Sequence, residues 1–411
     1  MPELKDISFA SPEVLRDPFP VFEEFRKAGG VTWSDRYRGW IVSSYDAVRF
    51  LLSHPRVSVQ KVAPAVAGMP PDTRAKVEAM QSILKDWVVF NDPPNHTRLR
   101  KIIQRGFMPR NMRILEPKVR EMTKTLVGEL PDGEPVEFME AFAYRLPAAM
   151  VCDLFGIPRQ DAEKVGDWSM AVTKFILGSP DPERYDVSLE SLLLMRDYFA
   201  AQVADRKANP RDEKDLVDAL IDSQGEPGGM TDDEIVSSLV LIVFGGHETT
   251  ANGIANAVRV LCQHPGMLED LRRNPDRIGL AVEELLRFDG PSPFITRVAS
   301  DDVDAGGQTI RKGDRIFIAL QSANRDETKF DSPEKLNLTE RRGCPHIQFS
   351  QGMHTCVGAP LARLEMRVAL EELLSAFATI ELAEPPAHWR NELLARGTKR
   401  LMLRMTRAKL D

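Results

Sequence analysis

One stretch near the C-terminus constrains the chain more than any other. It runs from Phe349 to Pro360 and reads FSQGMHTCVGAP, so that a glycine stands on either side of a single cysteine. The residues that follow, Leu361 to Leu370, are strong helix formers with apolar side chains at helical spacing. Cys356 is therefore predicted to lie at a helix N-terminus, where free N–H groups and the helix dipole favour a thiolate. Such a thiolate on a glycine-walled loop suits binding of a soft metal from one side.

Three other readings of this stretch remain open from its residues. A lone cysteine is often a small buried hydrophobe, and a cysteine can also be a nucleophile. A zinc site would use the four nearby Cys and His residues Cys344, His346, His354 and Cys356. Paired zinc ligands are usually separated by about two to four residues, whereas one residue separates each pair here. Neither zinc nor nucleophilic catalysis accounts for Phe349, Gly352 and Gly358 together.

The stretch resembles the haem-binding loop of the cytochrome P450 family, whose pattern is Phe-x-x-Gly-x-(Arg/His)-x-Cys-x-Gly. The fixed positions are matched by Phe349, Gly352, His354, Cys356 and Gly358. The resemblance implies that the chain binds haem b. Cys356 would be the thiolate ligand of the iron, with His354 on a haem propionate and Phe349 and Gly358 in the same loop. A thiolate ligand favours cleavage of the O–O bond.

The same resemblance extends from about residue 15 to the end and indicates the fold. It implies one cytochrome P450-like domain over residues 1–411, mainly α with a minor β region. The net charge of -7 argues against wholesale nucleic-acid binding. The four cysteines lack the paired spacing of a disulfide framework, which favours a reducing cytoplasm.

The sequence contains no segment typical of membrane insertion or export. Met1 to Pro12 carries acids and no apolar run, and the strongest apolar run, Leu239 to Phe244, is too short to span a bilayer. The chain resembles the soluble bacterial members of the family. We therefore expect a cytoplasmic monomer.

A second motif, around residues 92–100, combines a turn with two cationic side chains. Asp92-Pro93-Pro94 predicts a turn that starts a helix, and His96 and Arg100 then lie four residues apart on one face. This face suits an anionic ligand, although a solvated basic face is the alternative. By resemblance, His96 and Arg100 hold haem propionates, and Arg297 is a third propionate partner.

The longest helical pattern begins at a capping box, Thr231 to Glu234, and reaches about Gln263. Its apolar part, Leu239 to Phe244, is followed by Gly245-Gly246-His247-Glu248-Thr249. An acid buried there is costly unless it is paired or functional. A zinc-protease His-Glu-x-x-His motif is excluded because the fifth position is Ala251.

The cluster resembles the family's Gly-Gly-x-(Asp/Glu)-Thr segment over the distal haem face. The resemblance implies that Thr249 donates a hydrogen bond to dioxygen and that Glu248 feeds protons from solvent. His247 falls on the variable position and is expected to pack. The resemblance also makes Glu284 and Arg287 structural, and it places a substrate lid at Gly178 to Pro182. The predicted substrate pocket is apolar and consists of Trp87, Leu241, Phe244, Gly245, Pro293, Phe294 and Ile295.

Together these features predict a monooxygenase that inserts one oxygen atom from O2 into a hydrophobic organic substrate. The chain contains no flavin or iron–sulfur segment, so electrons from NAD(P)H are expected through a separate ferredoxin and ferredoxin reductase. A haem sensor or carrier is an alternative, but it would need no proton relay at Glu248 and Thr249. A peroxide-driven enzyme is another, although such relatives typically lose this pair.

A one-signed run of charge suggests where the ferredoxin docks. No acid lies between Pro93 and Leu115, whereas six cations do: Arg98, Arg100, Lys101, Arg105, Arg110 and Arg113. Arg100 is claimed by haem, and the predicted patch consists of the others together with Arg363 and Arg367. Arg363 and Arg367 follow Cys356 by two and three helical turns. Because the chain is acidic overall, the patch predicts steering of a small acidic ferredoxin. A solvated helix face is the alternative.

Overall fold

The computed structural model describes residues 3–60, 69–176, 182–339, 343–386 and 388–409, with only the backbone of 182–184. The predicted lid, Gly178 to Pro182, lies outside the described residues except for Pro182. The helices are α1 (Pro12–Arg16), α2 (Phe19–Lys27), α3 (Tyr45–Leu52), α4 (Pro71–Leu84), α5 (Asn95–Ile103), α6 (Pro109–Glu129), α7 (Arg145–Phe155), α8 (Ala162–Ile176), α9 (Pro182–Ala208), α10 (Leu216–Asp222), α11 (Asp232–Gly246), α12 (Glu248–Cys262), α13 (Pro265–Arg273), α14 (Ile278–Asp289), α15 (Leu320–Ala323) and α16 (Ala359–Ala376).

The strands are short and fall into small sheets. They are β1 (Val31–Ser34), β2 (Gly39–Val42), β3 (Val57–Ser58), β4 (Pro135–Glu137), β5 (Phe294–Ala299), β6 (Val303–Ala305), β7 (Gln308–Ile310), β8 (Arg315–Ala319), β9 (Phe377–Leu382) and β10 (Met402–Arg407). The largest sheet has the order β1-β2-β8-β5-β3, in which only β2 and β8 pair in parallel. The mainly α fold with a minor β region is thus confirmed.

The capping box predicted for α11 is present. The Thr231 side chain accepts a hydrogen bond from the Glu234 N–H at 3.2 Å, and Glu234 Oε2 accepts one from the Thr231 N–H at 2.9 Å. The long helix predicted from this cap is instead two helices, α11 and α12, which meet at His247. Thr249 Oγ1 donates to the Gly245 carbonyl at 2.6 Å, and such side-chain bonding beside glycines bends helices.

The helix α12 packs closely on α16, which follows the Cys356 loop. A Cβ atom added at Gly253 would lie 3.3 Å from Met366 Sδ, so the small residue brings the two helices together. Both helices belong to the main core, and Phe244, Phe349 and Val357 pack against the same core. The elements that carry the two predicted halves of the site are therefore neighbours.

The segment between β9 and β10 joins distant parts of the fold. Arg396 donates to the Leu15 carbonyl at 2.7 Å and to Asp289 Oδ1 at 2.6 Å, and its own carbonyl accepts from Asn256 Nδ2 at 3.0 Å. Asp289 is also paired with Arg259 of α12. This segment consequently ties α1, α12 and α14 to one another. Among the described residues, no helix combines the length and the apolar composition needed to cross a bilayer.

Candidate functional site

The Cys356 loop has the backbone geometry that its glycines predict. Gly352 has φ +76°, and a Cβ there would lie 2.8 Å from the Leu52 carbonyl oxygen, so only glycine fits. The Cys356 N–H donates to the Phe349 carbonyl at 2.9 Å, which closes the loop. The cysteine itself is accessible, and α16 begins three residues later.

The electrostatic environment of Cys356 differs in one respect from the prediction. Burial raises the pKa of the Cys356 thiol, although the backbone N–H of Gly358 and the charges of Arg100 and Arg363 lower it. The helix end thus lowers the pKa of the thiol as predicted, and the two cations add to this, but burial outweighs both and the net shift favours the thiol. The thiol is accessible at its surface yet lies deep among protein groups. A metal ligand must lose this proton when the metal binds.

Four cationic or imidazole side chains from three separate segments converge near this loop. His96 and Arg100 come from α5, Arg297 from β5, and His354 from the turn before Cys356. The His96 and His354 rings have centroids 4.2 Å apart. Burial lowers the pKa of His354 to about 3, and the charges of Arg297, His96 and Arg100 add to this shift. The sequence-predicted propionate partners therefore lie together.

Among the described residues, none of the four side chains of this cluster forms an ion pair, although the Asp92 charge acts on His96 and Arg297. Both ring nitrogens of His96 and the Nε2 of His354 are buried without hydrogen-bond partners. Arg297 donates only to the Thr296 carbonyl, at 2.8 Å, and burial lowers its pKa to about 10. The nearest acid is Asp92, whose oxygens already accept from the Ser58 hydroxyl and the Val59 N–H. Buried polar groups are normally satisfied, so the cluster fits a ligand with carboxylates.

Glu248 and Thr249 are adjacent in sequence but have different surroundings. Thr249 is partly exposed beside Gly245, which is itself exposed. The Glu248 side chain is 3% exposed and forms a buried ion pair with Arg390, whose side chain is 11% exposed. Burial raises the pKa of Glu248, and the Arg390 charge opposes this shift. Glu248 therefore holds its proton to higher pH than an ordinary glutamate.

The partners of Glu248 were not predicted from the sequence. Arg390 also donates to the Tyr144 hydroxyl and lies 4.0 Å from Glu392. Arg390 and Glu392 stand in a polar C-terminal stretch with no periodicity or motif, so no sequence signal marks them. His247 Nε2 lies 3.2 Å from the Tyr144 carbonyl, and burial lowers its pKa to about 4. A neutral, buried His247 agrees with the packing role expected for it.

The predicted substrate-pocket residues divide into two groups. Phe244, Gly245 and Ile295 are partly or fully accessible, and Leu241 is 8% exposed. Trp87 is fully buried and packs behind Phe244, with ring centroids 5.2 Å apart. It therefore supports the predicted pocket wall but does not line it.

Phe294 and Pro293 also depart from the prediction. Side chains alternate along a strand, so Phe294 points away from the face of β5 that carries Arg297. Its ring packs against Phe9 at 4.8 Å and Phe22 at 5.4 Å, in the core of the N-terminal segment. Pro293 is likewise buried on that side. Both residues belong to packing between the N-terminal segment and the sheet.

The Glu284–Arg287 pair has the structural contacts expected of it. Arg287 Nε and Nη2 each lie 2.8 Å from a Glu284 oxygen, and Arg287 also donates to the carbonyls of Asn324, Pro333 and Lys335. Both side chains are almost fully buried. The pair thus fixes the irregular segment that leads to the Cys356 loop.

The zinc alternative receives no support from the part of the chain that the structure describes. No group of three or more His, Cys, Asp or Glu side chains there could hold a metal ion. His346 contacts Glu283 instead, at 3.2 Å. The four predicted zinc ligands therefore do not form one site.

The predicted basic patch is smaller than the sequence suggests. Arg98 pairs with Glu234, Arg105 with Glu226, Arg363 with Glu283, and Arg367 with Glu116 and Glu371. Apart from Glu371, which lies four residues after Arg367 on α16, these acids are distant in sequence from their partners, so the one-signed run concealed them. Within the predicted patch, the exposed cations that have no ion pair to another described residue are Lys101, Arg110 and Arg113.

Comparison with known proteins identifies the family. A family model described as Cytochrome P450 matches residues 168–279 and 279–405. The Biotin biosynthesis cytochrome P450 of Bacillus subtilis (strain 168) is 31% identical over 379 residues, which cover 92% of this chain and 93% of that protein. The 6-deoxyerythronolide B hydroxylase of Saccharopolyspora erythraea is 31% identical over 421 residues, which cover 98% and 99%.

Solved structures agree with the sequence relatives. The crystal structure of CalO2 has a TM-score of 0.89 at 28% identity and covers 98% of this chain and 99% of its own. The structure of PksS from Bacillus subtilis 168 has a TM-score of 0.86 at 31% identity and covers 97% and 100%. The chain belongs to the cytochrome P450 family, and it is an oxidoreductase of the monooxygenase type whose cofactor is haem.

Proposed function

We propose that this chain inserts one oxygen atom from O2 into a hydrophobic organic molecule, by hydroxylation or a related oxidation. It acts as one domain spanning residues 1–411, and NAD(P)H supplies the electrons through a separate ferredoxin and ferredoxin reductase. The observation that carries the proposal is the accessible Cys356 beside two arginines and two histidines that form no ion pair among the described residues and whose buried ring nitrogens lack partners there. The hydroxylase name of one relative supports the reaction type.

Each side chain of the cluster has a role toward the cofactor. Cys356 would ligate the iron, while His96, Arg100, Arg297 and His354 would donate charge-assisted hydrogen bonds to the propionates. The Phe349 carbonyl orients the cysteine through its N–H, at 2.9 Å. When bound, the haem supplies the activation of dioxygen.

Thr249 and Glu248 would deliver protons on the opposite side. Thr249 Oγ1 is 2.6 Å from the Gly245 carbonyl, so its hydroxyl proton is directed into the bend between α11 and α12. Glu248 is protonated up to higher pH than usual because it is buried. Glu248 pairs with Arg390, which in turn donates to the Tyr144 hydroxyl, so the acid belongs to a chain of polar groups. A haem sensor would have no use for such a buried acid, whose burial is costly.

The substrate is inferred to be apolar because the accessible residues near Thr249 are apolar. Phe244 and Ile295 supply this surface, with Leu241 behind it. Trp87 fixes the position of the Phe244 ring. No charged side chain other than the predicted propionate partners is assigned to the pocket.

The ligand assignment is tested with two cysteine variants of the holoprotein. Cys356→Ser should abolish the strongly red-shifted Soret band of the ferrous–CO complex, because that band requires a thiolate ligand. Cys344→Ser is the matched control and should leave it unchanged. Loss of the band in Cys344→Ser alone, or purified protein that contains stoichiometric zinc and no haem, would refute the assignment.

The electron source is tested separately by comparing two ways of supporting turnover. NAD(P)H with a ferredoxin and its reductase should support product formation in the wild type. Turnover with hydrogen peroxide alone, at the rate reached with NAD(P)H and both partners, would instead make the chain a peroxide-driven enzyme.

A further inference from the structure

The Phe349 ring, where the Cys356 loop begins, packs against two side chains that share one carboxylate. The Arg363 guanidinium carbon lies 4.4 Å from the ring centroid, and the His346 ring lies 6.0 Å away. Glu283 of α14 accepts hydrogen bonds from Arg363 Nε at 2.6 Å and Nη2 at 2.9 Å, and His346 Nε2 is 3.2 Å from Glu283 Oε2. We refer to Glu283, His346 and Arg363 as the Glu283 clamp.

The charges within the clamp follow from its hydrogen bonds. His346 Nδ1 accepts the Gln348 backbone N–H at 3.2 Å, so the proton of a neutral ring is on Nε2 and is donated to Glu283. His346 thus donates to Glu283 from Nε2, and Glu283 and Arg363 form the charged pair of the clamp. Burial would raise the pKa of Glu283, but hydrogen bonds from His346 and Arg363 outweigh it and lower this pKa to about 2.

The clamp is joined to the cysteine through Phe349. The Arg363 guanidinium covers the Phe349 ring, and Arg363 belongs to the helix that begins three residues after Cys356. The Phe349 carbonyl accepts the Cys356 N–H, so the ring that Arg363 covers belongs to the residue that orients the cysteine backbone. Glu283 partly cancels the Arg363 charge and, through its bidentate contact, holds the guanidinium over the Phe349 ring.

We infer that Glu283 is a positioning residue that sets the reduction potential of the thiolate-ligated iron by holding and compensating Arg363. This inference rests on the proposed function, because it requires haem ligated by Cys356. A negative charge near the ligand disfavours addition of an electron, and a positive charge favours it. The Glu283 and Arg363 side chains are 36% and 39% exposed, so solvent and salt attenuate both effects.

The test is a redox titration of four holoprotein variants. Glu283→Gln leaves Arg363 uncompensated and should raise the ferric/ferrous reduction potential. Arg363→Met removes the cation and should lower the potential. The double variant removes both charges and should return close to the wild-type value. Glu226→Gln is the matched control, because it breaks a similar bidentate pair with Arg105 and should leave the potential unchanged.

The outcomes separate this inference from the proposed function. Shifts of the same sign in the two single variants, or shifts no larger than that of Glu226→Gln, would overturn it. The ferrous–CO band of each variant verifies that Cys356 still ligates the iron. A wild-type protein that binds no haem would refute the proposed function instead. If Glu283→Gln does not accumulate as holoprotein, the sign of the Arg363→Met shift decides alone.

Discussion

At the scale of single residues, the buried ion pair of Glu248 and Arg390 has a direct consequence for the free energy of unfolding. Removing one partner of a buried ion pair costs about 3–5 kcal/mol because the other charge is left uncompensated. We therefore expect Arg390→Met to destabilise the protein strongly. Arg400→Met is the control, since Arg400 and Glu384 form an exposed pair, and such pairs contribute about 0–1 kcal/mol.

The loss in Arg390→Met should depend on pH with a defined sign. The Arg390 charge opposes the burial that raises the pKa of Glu248, so its removal raises that pKa further. A carboxyl with a raised pKa in the folded state loses stability as pH rises from its unfolded pKa through its folded one. Urea unfolding at about pH 5 and about pH 8 should show a larger loss at the higher pH. Equal losses at both, or a loss that Arg400→Met reproduces, would contradict the buried pair.

The proton-delivery role of Thr249 predicts a specific kinetic defect. Thr249→Ala removes the hydroxyl that bonds to Gly245, so protons arrive less reliably and NAD(P)H is consumed with release of hydrogen peroxide. Product formed per NAD(P)H should fall at least several-fold, and by no more than the roughly 10²–10⁴ that a general acid–base group contributes. Thr250→Ala, at the next and buried position, is the control for packing. Coupling as tight as in the wild type would exclude the relay.

The site residues that could be predicted are those whose partners are close in sequence. Phe349 and Cys356 bond within one loop, and His96 and Arg100 share one helix face, so a local pattern contains the information. Arg363 and Glu283 are separated by 80 residues and His346 and Glu283 by 63. Contacts of that separation depend on how the helices pack. Sequence patterns do not determine this packing.

At the scale of elements, α16 carries a buried acid that has no role in the site. Glu365 is 2% exposed, its Oε2 has no hydrogen-bond partner, and burial raises its pKa well above the usual value. The folded protein therefore loses stability as pH rises above the unfolded carboxyl pKa of about 4.3. Glu365→Gln should abolish this loss and make the holoprotein more stable at about pH 8, by about 1.4 kcal/mol for each unit of pKa shift.

Glu371, on the same helix, is the control for Glu365. It pairs with Arg120 and Arg367, so Glu371→Gln should lower stability, whereas Glu365→Gln should raise it. Unfolding by urea across the pH range measures both. The prediction is contradicted if the stability difference between the wild type and Glu365→Gln is the same at about pH 5 and at about pH 8.

Element boundaries show which local signals suffice. The cap at Thr231 agrees with the sequence because short-range hydrogen bonding decides it. The helices α11 and α12 are separate where the Thr249 hydroxyl bonds to the Gly245 carbonyl four residues earlier. The pair Gly245-Gly246 allows this bond but does not require it. Phe294 was placed in the pocket together with Ile295 and Arg297, although strand alternation puts its side chain on the face opposite both.

At the scale of the whole molecule, the corrected basic patch changes the docking prediction. Lys101→Glu, Arg110→Glu and Arg113→Glu together should slow reduction by an acidic ferredoxin and weaken the salt dependence of that rate, because steering depends on unscreened charge. Stopped-flow reduction at increasing ionic strength measures this. Substrate binding, followed by the Soret shift, should stay unchanged.

Two controls define the patch. Lys399→Glu reverses another exposed cation and should have no effect on reduction. Arg98→Glu breaks the pair with Glu234 at the start of α11, so it should lower stability and is unsuitable as a docking probe. A reduction rate that neither salt nor the triple reversal changes would exclude this surface.

The segment between β9 and β10 has a consequence for how the protein is made. A ribosome adds Arg390 and Arg396 after Leu15, Glu248 and Asp289, which these two arginines contact. While the chain is still growing, Glu248 and Asp289 lack these cations, and the first helix is not yet fastened to α12. The contacts of Glu248 and Asp289 with these arginines therefore form only after translation has passed residue 396. This part of the fold is completed after its residues have been synthesised.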